Sequence, residues 1–325
     1  MANKELLITG TDGFVGGYLK DYFLKEGWDV YGTVFNMREP EKNECIVNFC
    51  LDEDFEKIPE KNFEIIINVA GVVDQTLPKE LMMDINAEGT RRMAEWAKRH
   101  ECKHFIQISS VSAYGFKLLG ENRTEKDTAR NKGIFGVNYS KSKAQAERYI
   151  EKVGLAGYTF LRFPPILGEG DSYISPLIIP RLLNGEFYFS VKEDKLYSTF
   201  NIKNMGSLIS NIIEAGPQNT AFNCTDYEMT WKKYIAEYAR QLDVEMIDQK
   251  KSIWSGLTKW DDKQYLLMVG YSYFGAHYPN DKLKSCIDWE PPFTWQAGVR
   301  DAILGYSLNC NEQERKLIQK AMKIG

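Results

Sequence analysis

No Cys-x-x-Cys pair occurs among Cys45, Cys50, Cys102, Cys224, Cys286 and Cys310. Isolated thiols of this kind point to reduced, mostly buried cysteines in a reducing compartment. Histidine is scarce, with 3 in the chain. His100 and His104 flank Cys102, but they straddle a helix end and a strand start, so no metal site is expected. No apolar run approaches membrane-spanning length. The first residues lack a charged segment followed by a long apolar core, so neither a signal peptide nor a membrane anchor is expected. No basic run lies beside an aromatic platform, and the net charge is −4, which leaves no case for a nucleic-acid partner. Repeats and low-complexity tracts are also missing. What remains is the composition of a soluble globular protein, expected in the cytoplasm and long enough at 325 residues for one large or two smaller domains.

Against these absences stands one dense motif, Thr9-Gly10-Thr11-Asp12-Gly13-Phe14-Val15-Gly16. The apolar run Leu6-Leu7-Ile8 before it reads as a buried strand. Tyr18 to Leu24 after it has helical apolar spacing. Three glycines therefore sit at a strand-to-helix turn. Gly10 takes a tight turn that a side chain would forbid. Gly13 lets backbone approach a pyrophosphate, and Gly16 lets the helix pack close to the strand. Free N–H groups at the helix start then face the phosphates.

Strands follow at Asp29–Phe35, Cys45–Phe49, Phe63–Ala70, Phe105–Ile108 and Tyr158–Arg162, with a long helix from about Leu81 to His100. This alternation predicts an α/β fold, a Rossmann-type doubly wound parallel sheet. Strand two ends without a carboxylate for a ribose 2′-hydroxyl. Arg38, four residues past Val34, is instead placed to meet a 2′-phosphate, so NADP(H) is favoured over NAD(H). The alternative is that Arg38 is a solvated loop residue. Small residues in Asn68-Val69-Ala70-Gly71 leave room for a cofactor at the strand's carboxyl edge.

Strand five ends in Ser109-Ser110, and Tyr139 and Lys143 follow on the start of a helix. Four residues apart, the tyrosine and lysine share one helical face. The spacing alone is cheap, because Tyr188/Lys192 and Tyr278/Lys282 repeat it. Tyr188/Lys192 falls in an apparent strand, where it spans about 13 Å, and Pro279 follows Tyr278 in a turn. Only Tyr139/Lys143 combines a helix, a serine-ended strand and a dinucleotide turn.

Together the glycine turn, Asn68-Val69-Ala70-Gly71, Ser110 and Tyr139-x-x-x-Lys143 resemble the extended branch of the short-chain dehydrogenase/reductase superfamily. The resemblance is strong over about residues 5 to 170. It implies Tyr139 as general acid/base, Lys143 as the charge that lowers its pKa and holds the nicotinamide ribose, and Ser110 as the hydrogen-bond partner of the substrate oxygen. Asp12, Phe14 and Val15 join the glycines on the cofactor side, with Asp52, Asn68, Ala70, Gly71, Asn86 and Ser109. Phe163, Pro164 and Ile166 past strand six complete that set. For Asn86, a plain helix polar residue is an equal reading. Sugar dehydratases carry Asp-Glu after the serine, where this chain has Val111-Ser112. The nucleotide-sugar enzymes' Arg-x-x-Asn is replaced by Arg162-Phe163-Pro164-Pro165, closer to the steroid and flavonoid branch.

Residues 1–163 are expected to form the dinucleotide-binding domain. Residues 164–325 are expected to form a smaller C-terminal α/β substrate lobe, with strands returning to the main sheet. The aromatic stretch from Trp254 to Trp295 reads as core, with Tyr271–Tyr278 a candidate lid. The expected function is NAD(P)-dependent hydride transfer with a secondary alcohol or ketone of a small substrate, cyclic substrates included. A nucleotide-sugar epimerase or reductase and a non-catalytic sensor or scaffold are the alternatives. The tail, Glu312–Met322, has helical spacing that suits docking either on the domain itself or on a second subunit of a homodimer.

Overall fold

The structure, a computed structural model, describes residues 5–35, 37–74, 76–115, 123–127, 138–187, 195–246 and 275–323. Tyr188/Lys192, the aromatics from Trp254 to Phe274 and most of the candidate lid lie outside the described residues.

The apolar run of β1 (Glu5–Thr9) is covered on both sides, with Leu6, Leu7 and Ile8 all at 0% exposure. Side chains alternate along a strand. Leu6 and Ile8 therefore pack with Leu19 and Phe23 of α1 (Phe14–Lys25), and with Leu208 and Ile212 of α6 (Met205–Ala215). Leu7 faces the other layer, with Met93 and Trp96 of α3 (Gly89–Arg99) and Ile150 of α4 (Asn138–Val153).

Seven parallel strands run in the order β3-β2-β1-β4-β5-β6-β9. They are β3 (Glu44–Ile46), β2 (Asp29–Val34), β1, β4 (Ile65–Asn68), β5 (His104–Ser110), β6 (Tyr158–Phe163) and β9 (Thr220–Asn223). β1 pairs with both β2 and β4, so the chain's winding reverses there and a crevice opens beyond the carboxyl ends of β1 and β4. The expected third strand is shortened to Glu44–Ile46, while Val47 and Phe49 turn into the core.

After β6 the chain builds β7 (Ile166–Leu167), α5 (Ser175–Leu183) and β8 (Leu196–Asn201), then returns α6 and β9 to the main sheet. β10 (Tyr227–Thr230) and β7 flank β8 in a second sheet. Around it lies a separate aromatic core of Tyr197, Trp231, Tyr234, Tyr238 and Trp295. It is closed by α7 (Trp231–Gln241), α9 (Trp295–Asn309) and α10 (Glu312–Met322), whereas Leu283 of α8 (Asp281–Cys286) packs in the main-sheet core with Leu6 and Ile8. No helix among the described residues is long and apolar enough to cross a membrane.

All six cysteines are free thiols, and burial pushes Cys45 and Cys50 up to about 11 and Cys102 up to about 12. His100 meets the Trp96 carbonyl at 2.9 Å, His104 meets Thr159 Oγ1 at 2.9 Å, and Cys102 donates to the Glu64 carbonyl. The three side chains thus take separate directions.

The tightest backbone contact lies in the glycine turn. A Cβ at Gly16 would lie 2.0 Å from the Gly10 carbonyl oxygen, whereas one at Gly13 would meet only that oxygen, at 3.4 Å. Gly16→Ala is expected to lower the free energy of unfolding by about 1–3 kcal/mol in urea. Gly13→Ala should stay within about 0.5 kcal/mol of the parent. Equal midpoints and slopes for Gly16→Ala and the parent would refute the close-packing argument.

Candidate active site

The glycine turn forms one wall of the crevice. Gly10 has φ +70°, and a Cβ there would stand 3.0 Å from Ala70 Cα, so the ends of β1 and β4 approach closely. Thr9 holds them in place. Its hydroxyl donates to Asn68 Oδ1 at 2.8 Å and accepts from the Val69 and Ala70 amides at 2.9 and 3.0 Å. Gly13 precedes α1 without any side-chain cap over the first helical N–H groups. Uncapped donors suit an anionic ligand, and the dinucleotide phosphates expected from the sequence fit this turn. Asp12 accepts from the Phe35 and Met37 amides at 2.9 and 3.3 Å, fastening the turn to the end of β2. Phe14 packs against Gly170 of the second lobe, where a Cβ would come within 2.7 Å of its ring, and Val15 is half-buried.

The opposite wall comes from the helix after β4. α2 (Lys79–Met83) runs through a π turn at Asp84–Glu88 into α3. Such widened turns recur at functional sites. This one carries Asn86, whose side chain accepts from the Val72 amide at 2.7 Å and donates to the Val72 carbonyl at 2.8 Å and to Ser142 Oγ at 3.0 Å. Asn86 therefore splints the Gly71 backbone to α4. A Cβ at Gly71 would meet Asn86 Oδ1 at 2.9 Å and Lys143 Nζ at 3.7 Å.

Ser110, Tyr139 and Lys143 converge between these walls. Ser110 Oγ accepts from the Ser112 amide at 3.1 Å and hydrogen-bonds the Tyr139 phenol. Lys143 donates to the Ile108 carbonyl at 3.2 Å, and its Nζ lies 5.8 Å from the centre of the Tyr139 ring. Burial pushes the Tyr139 phenol up to about 12; the Ser110 hydrogen bond opposes this and the Tyr173 phenol adds to it. Burial also brings the Lys143 ammonium down to about 8, opposed by Glu147 one turn further along α4. In the protein alone, desolvation by burial is thus the largest influence on the phenol.

Several residues expected on the cofactor side have partners within the protein or pack into its core. Asn68 is fully buried and donates to Gln107 Oε1 at 2.8 Å, inside the sheet. Ser109 donates to Glu147 Oε1 at 2.6 Å, because neighbouring strand residues face opposite sides. Phe163 is a core residue, its ring centre 4.7 Å from that of Phe200. Pro164 is buried beside it in the chain and Ile166 is half-buried. Asp52 pairs with Arg92, which also binds Asp84 at 2.9 Å. Arg38 binds Glu44 through two nitrogens, at 2.6 and 2.7 Å.

The sequence reading missed three groups, Thr9, Glu147 and Arg162. Glu147 accepts from Ser109 and, at 3.0 and 2.5 Å, from Arg162. Two signals for this pair were present in the sequence. Glu147 lies four residues beyond Lys143, and Arg162 interrupts the apolar run of β6.

A doubly wound sheet with a glycine turn and a convergent Ser-Tyr-Lys set defines a Rossmann-type α/β protein. More specifically, the chain belongs to the NAD dependent epimerase/dehydratase family, whose model matches residues 6–224. The resemblance to the extended short-chain dehydrogenases/reductases is thereby borne out. The 3beta-hydroxysteroid dehydrogenase/Delta(5)-Delta(4) isomerase 1 of Caenorhabditis elegans is 29% identical over 144 residues, covering 42% of this chain and 30% of that protein. The dTDP-D-glucose 4,6-dehydratase of Dictyostelium discoideum is 26% identical over 210 residues, covering 56% and 48%. The chain thus spans less than half the length of either relative. Among solved structures, the Bordetella bronchiseptica enzyme WbmH in complex with NAD+ superposes with a TM-score of 0.73 at 14% identity, covering 94% of this chain and 99% of that one. At that identity the match speaks for the fold.

Lys143 titrating near 8 has a direct readout. In protein carrying 13Cε-lysine, one resonance should shift with a midpoint near 8 and be absent from Lys143→Arg. Midpoints near the ordinary value of about 10.4 for every lysine would overturn the burial argument.

Proposed function

We propose that the chain is an NAD(P)-dependent oxidoreductase acting on a secondary alcohol or ketone of a small substrate. The observation that carries this reading is the convergence of Ser110, Tyr139 and Lys143 on the crevice beyond β1 and β4. When bound, the nicotinamide ring supplies or takes up the hydride. The chain's own residues handle the oxygen. Tyr139, protonated throughout the neutral range, gives its proton to the carbonyl oxygen as negative charge develops there. Ser110 hydrogen-bonds that oxygen and the phenol, fixing the line of transfer. Lys143, anchored on the Ile108 carbonyl, lies beside Gly71, where the backbone is splinted by Asn86.

A second reading is a nucleotide-sugar epimerase or reductase, in keeping with the family and with the sugar-nucleotide dehydratase among the relatives. Dehydration itself is disfavoured. It needs a carboxylate beside the serine, and Val111, buried in the wall, and Ser112 stand there instead. An epimerase retains its reduced cofactor through turnover, whereas a dehydrogenase releases it.

The test is a panel of ring ketones, secondary alcohols and sugar nucleotides, with NADH and NADPH release followed by absorbance. Tyr139→Phe should keep the nicotinamide Kd within about threefold and lose about 10²–10⁴ in turnover. Parental turnover in Tyr139→Phe would remove the phenol from the chemistry.

A further inference from the structure

We propose that Glu44, at the start of β3, selects the nicotinamide cofactor by holding Arg38 in a two-point ion pair, so that the chain binds NAD(H) in preference to NADP(H). This rests on the proposal that the crevice takes a nicotinamide dinucleotide, and it reverses the preference drawn from Arg38 alone.

An arginine near the end of the second strand serves a 2′-phosphate only if its donors are free to turn toward it. Those of Arg38 are engaged. Nη1 donates to Glu44 Oε2 at 2.6 Å and to the Glu39 carbonyl at 2.9 Å. Nη2 donates to Glu44 Oε1 at 2.7 Å and to the Thr11 carbonyl at 3.4 Å. Parallel bonds from one guanidinium to both oxygens of one carboxylate are the strongest pairing these side chains make.

Glu44 is itself fixed from several sides. It accepts the Thr11 hydroxyl at 2.7 Å, Lys20 Nζ at 2.9 Å and the Glu41 amide at 2.8 Å, and its side chain is 2% exposed. These donors hold its carboxyl well below the usual range, against burial. Turning Arg38 outward would leave that carboxylate short of a partner in a place water does not reach. The local charge balance adds to this. Lys20 and Arg38 face Glu41, Glu44 and the nearby Asp12, so a phosphate dianion would enter a corner that is already net negative.

The anchoring also explains why a carboxylate so far from the end of β2 can act there. Glu44 bonds to Thr11 of the glycine turn and to Arg38 of the segment after β2, while β3 pairs with β2 from Gly32 to Val34. It is a specificity residue that works by denying the arginine, not by touching the cofactor.

The experiment measures Kd for NADH and for NADPH by calorimetry on the parent, Glu44→Gln, Arg38→Met and the double variant. The parent should favour NADH by about tenfold or more, and Glu44→Gln should tighten NADPH by about tenfold with NADH within about threefold. The double variant should lose that gain. Should Glu44→Gln fail to fold, Arg38→Met decides alone: the NADPH-to-NADH ratio should move by less than about threefold, because the arginine already has a partner. A parent that binds NADPH as tightly as NADH, an unchanged ratio in folded Glu44→Gln, or a selective loss of NADPH binding in Arg38→Met would each overturn the proposal. Failure of the parent to bind either dinucleotide would instead overturn the nicotinamide reading on which it rests.

Discussion

A buried carboxylate beneath α4 holds the site together. Glu147 accepts from Ser109 on β5 and from two nitrogens of Arg162 on β6, and both members of the ion pair are almost fully enclosed. Removing such charges from water is costly, and breaking one member typically costs about 3–5 kcal/mol because the other is stranded. The pair therefore persists only in one relative placement of helix and strands. That placement aims Tyr139 and Lys143, on the same helix, at Ser110. Arg162 extends the linkage. Its guanidinium lies 4.6 Å from the centre of the Tyr114 ring, and Tyr114 donates to Asn223 at 2.8 Å. Asn223 in turn binds the Arg123 and Pro279 carbonyls and Glu125. One polar chain thus runs from α4 to the second lobe.

The parts that were legible in the sequence are those set by local rules. The run Leu6–Ile8, the glycine spacing and the Tyr139/Lys143 spacing each follow from the period of one element. Tyr278/Lys282 shows why spacing needs context, since Lys282 binds the Ala221 carbonyl at 3.0 Å, on β9 and away from the crevice. Asn68 and Ser109 both donate to side chains inside the fold. Strand alternation already implies that Ser109 and Ser110 face opposite sides, so only one can reach the ligand. The π turn under Asn86 has no local signature in Asp84-Ile85-Asn86-Ala87-Glu88. Its reason lies in the Val72 backbone and in Ser142, which are distant in sequence. Arg38 is the same lesson in charge: its partner is six residues away, but the geometry that brings them together belongs to β3.

The second lobe was the least readable because its cohesion is polar and long-range. Asn204 binds Asp226 at 2.7 Å and both the carbonyl and the amide of Phe293 at 2.8 Å, while Asn201 reaches the Thr294 carbonyl at 2.9 Å. Burial pushes the Asp226 carboxyl up to about 7, against three backbone amides and the Asn204 side chain. These asparagines look like loop residues in a one-dimensional reading. In three dimensions they fasten the start of α6 to the turn before α9.

Burial also bears on the protonation of Tyr139 and Lys143. A phenol at about 12 beside an ammonium at about 8 is fully protonated at neutral pH. Were the ammonium close enough to dominate, the phenol would fall toward neutrality and serve equally as base. It does not dominate: Nζ is anchored on the Ile108 carbonyl, 5.8 Å from the ring centre, and loses much of its own charge preference to desolvation. In the protein alone the Tyr139 phenol therefore keeps its proton at neutral pH.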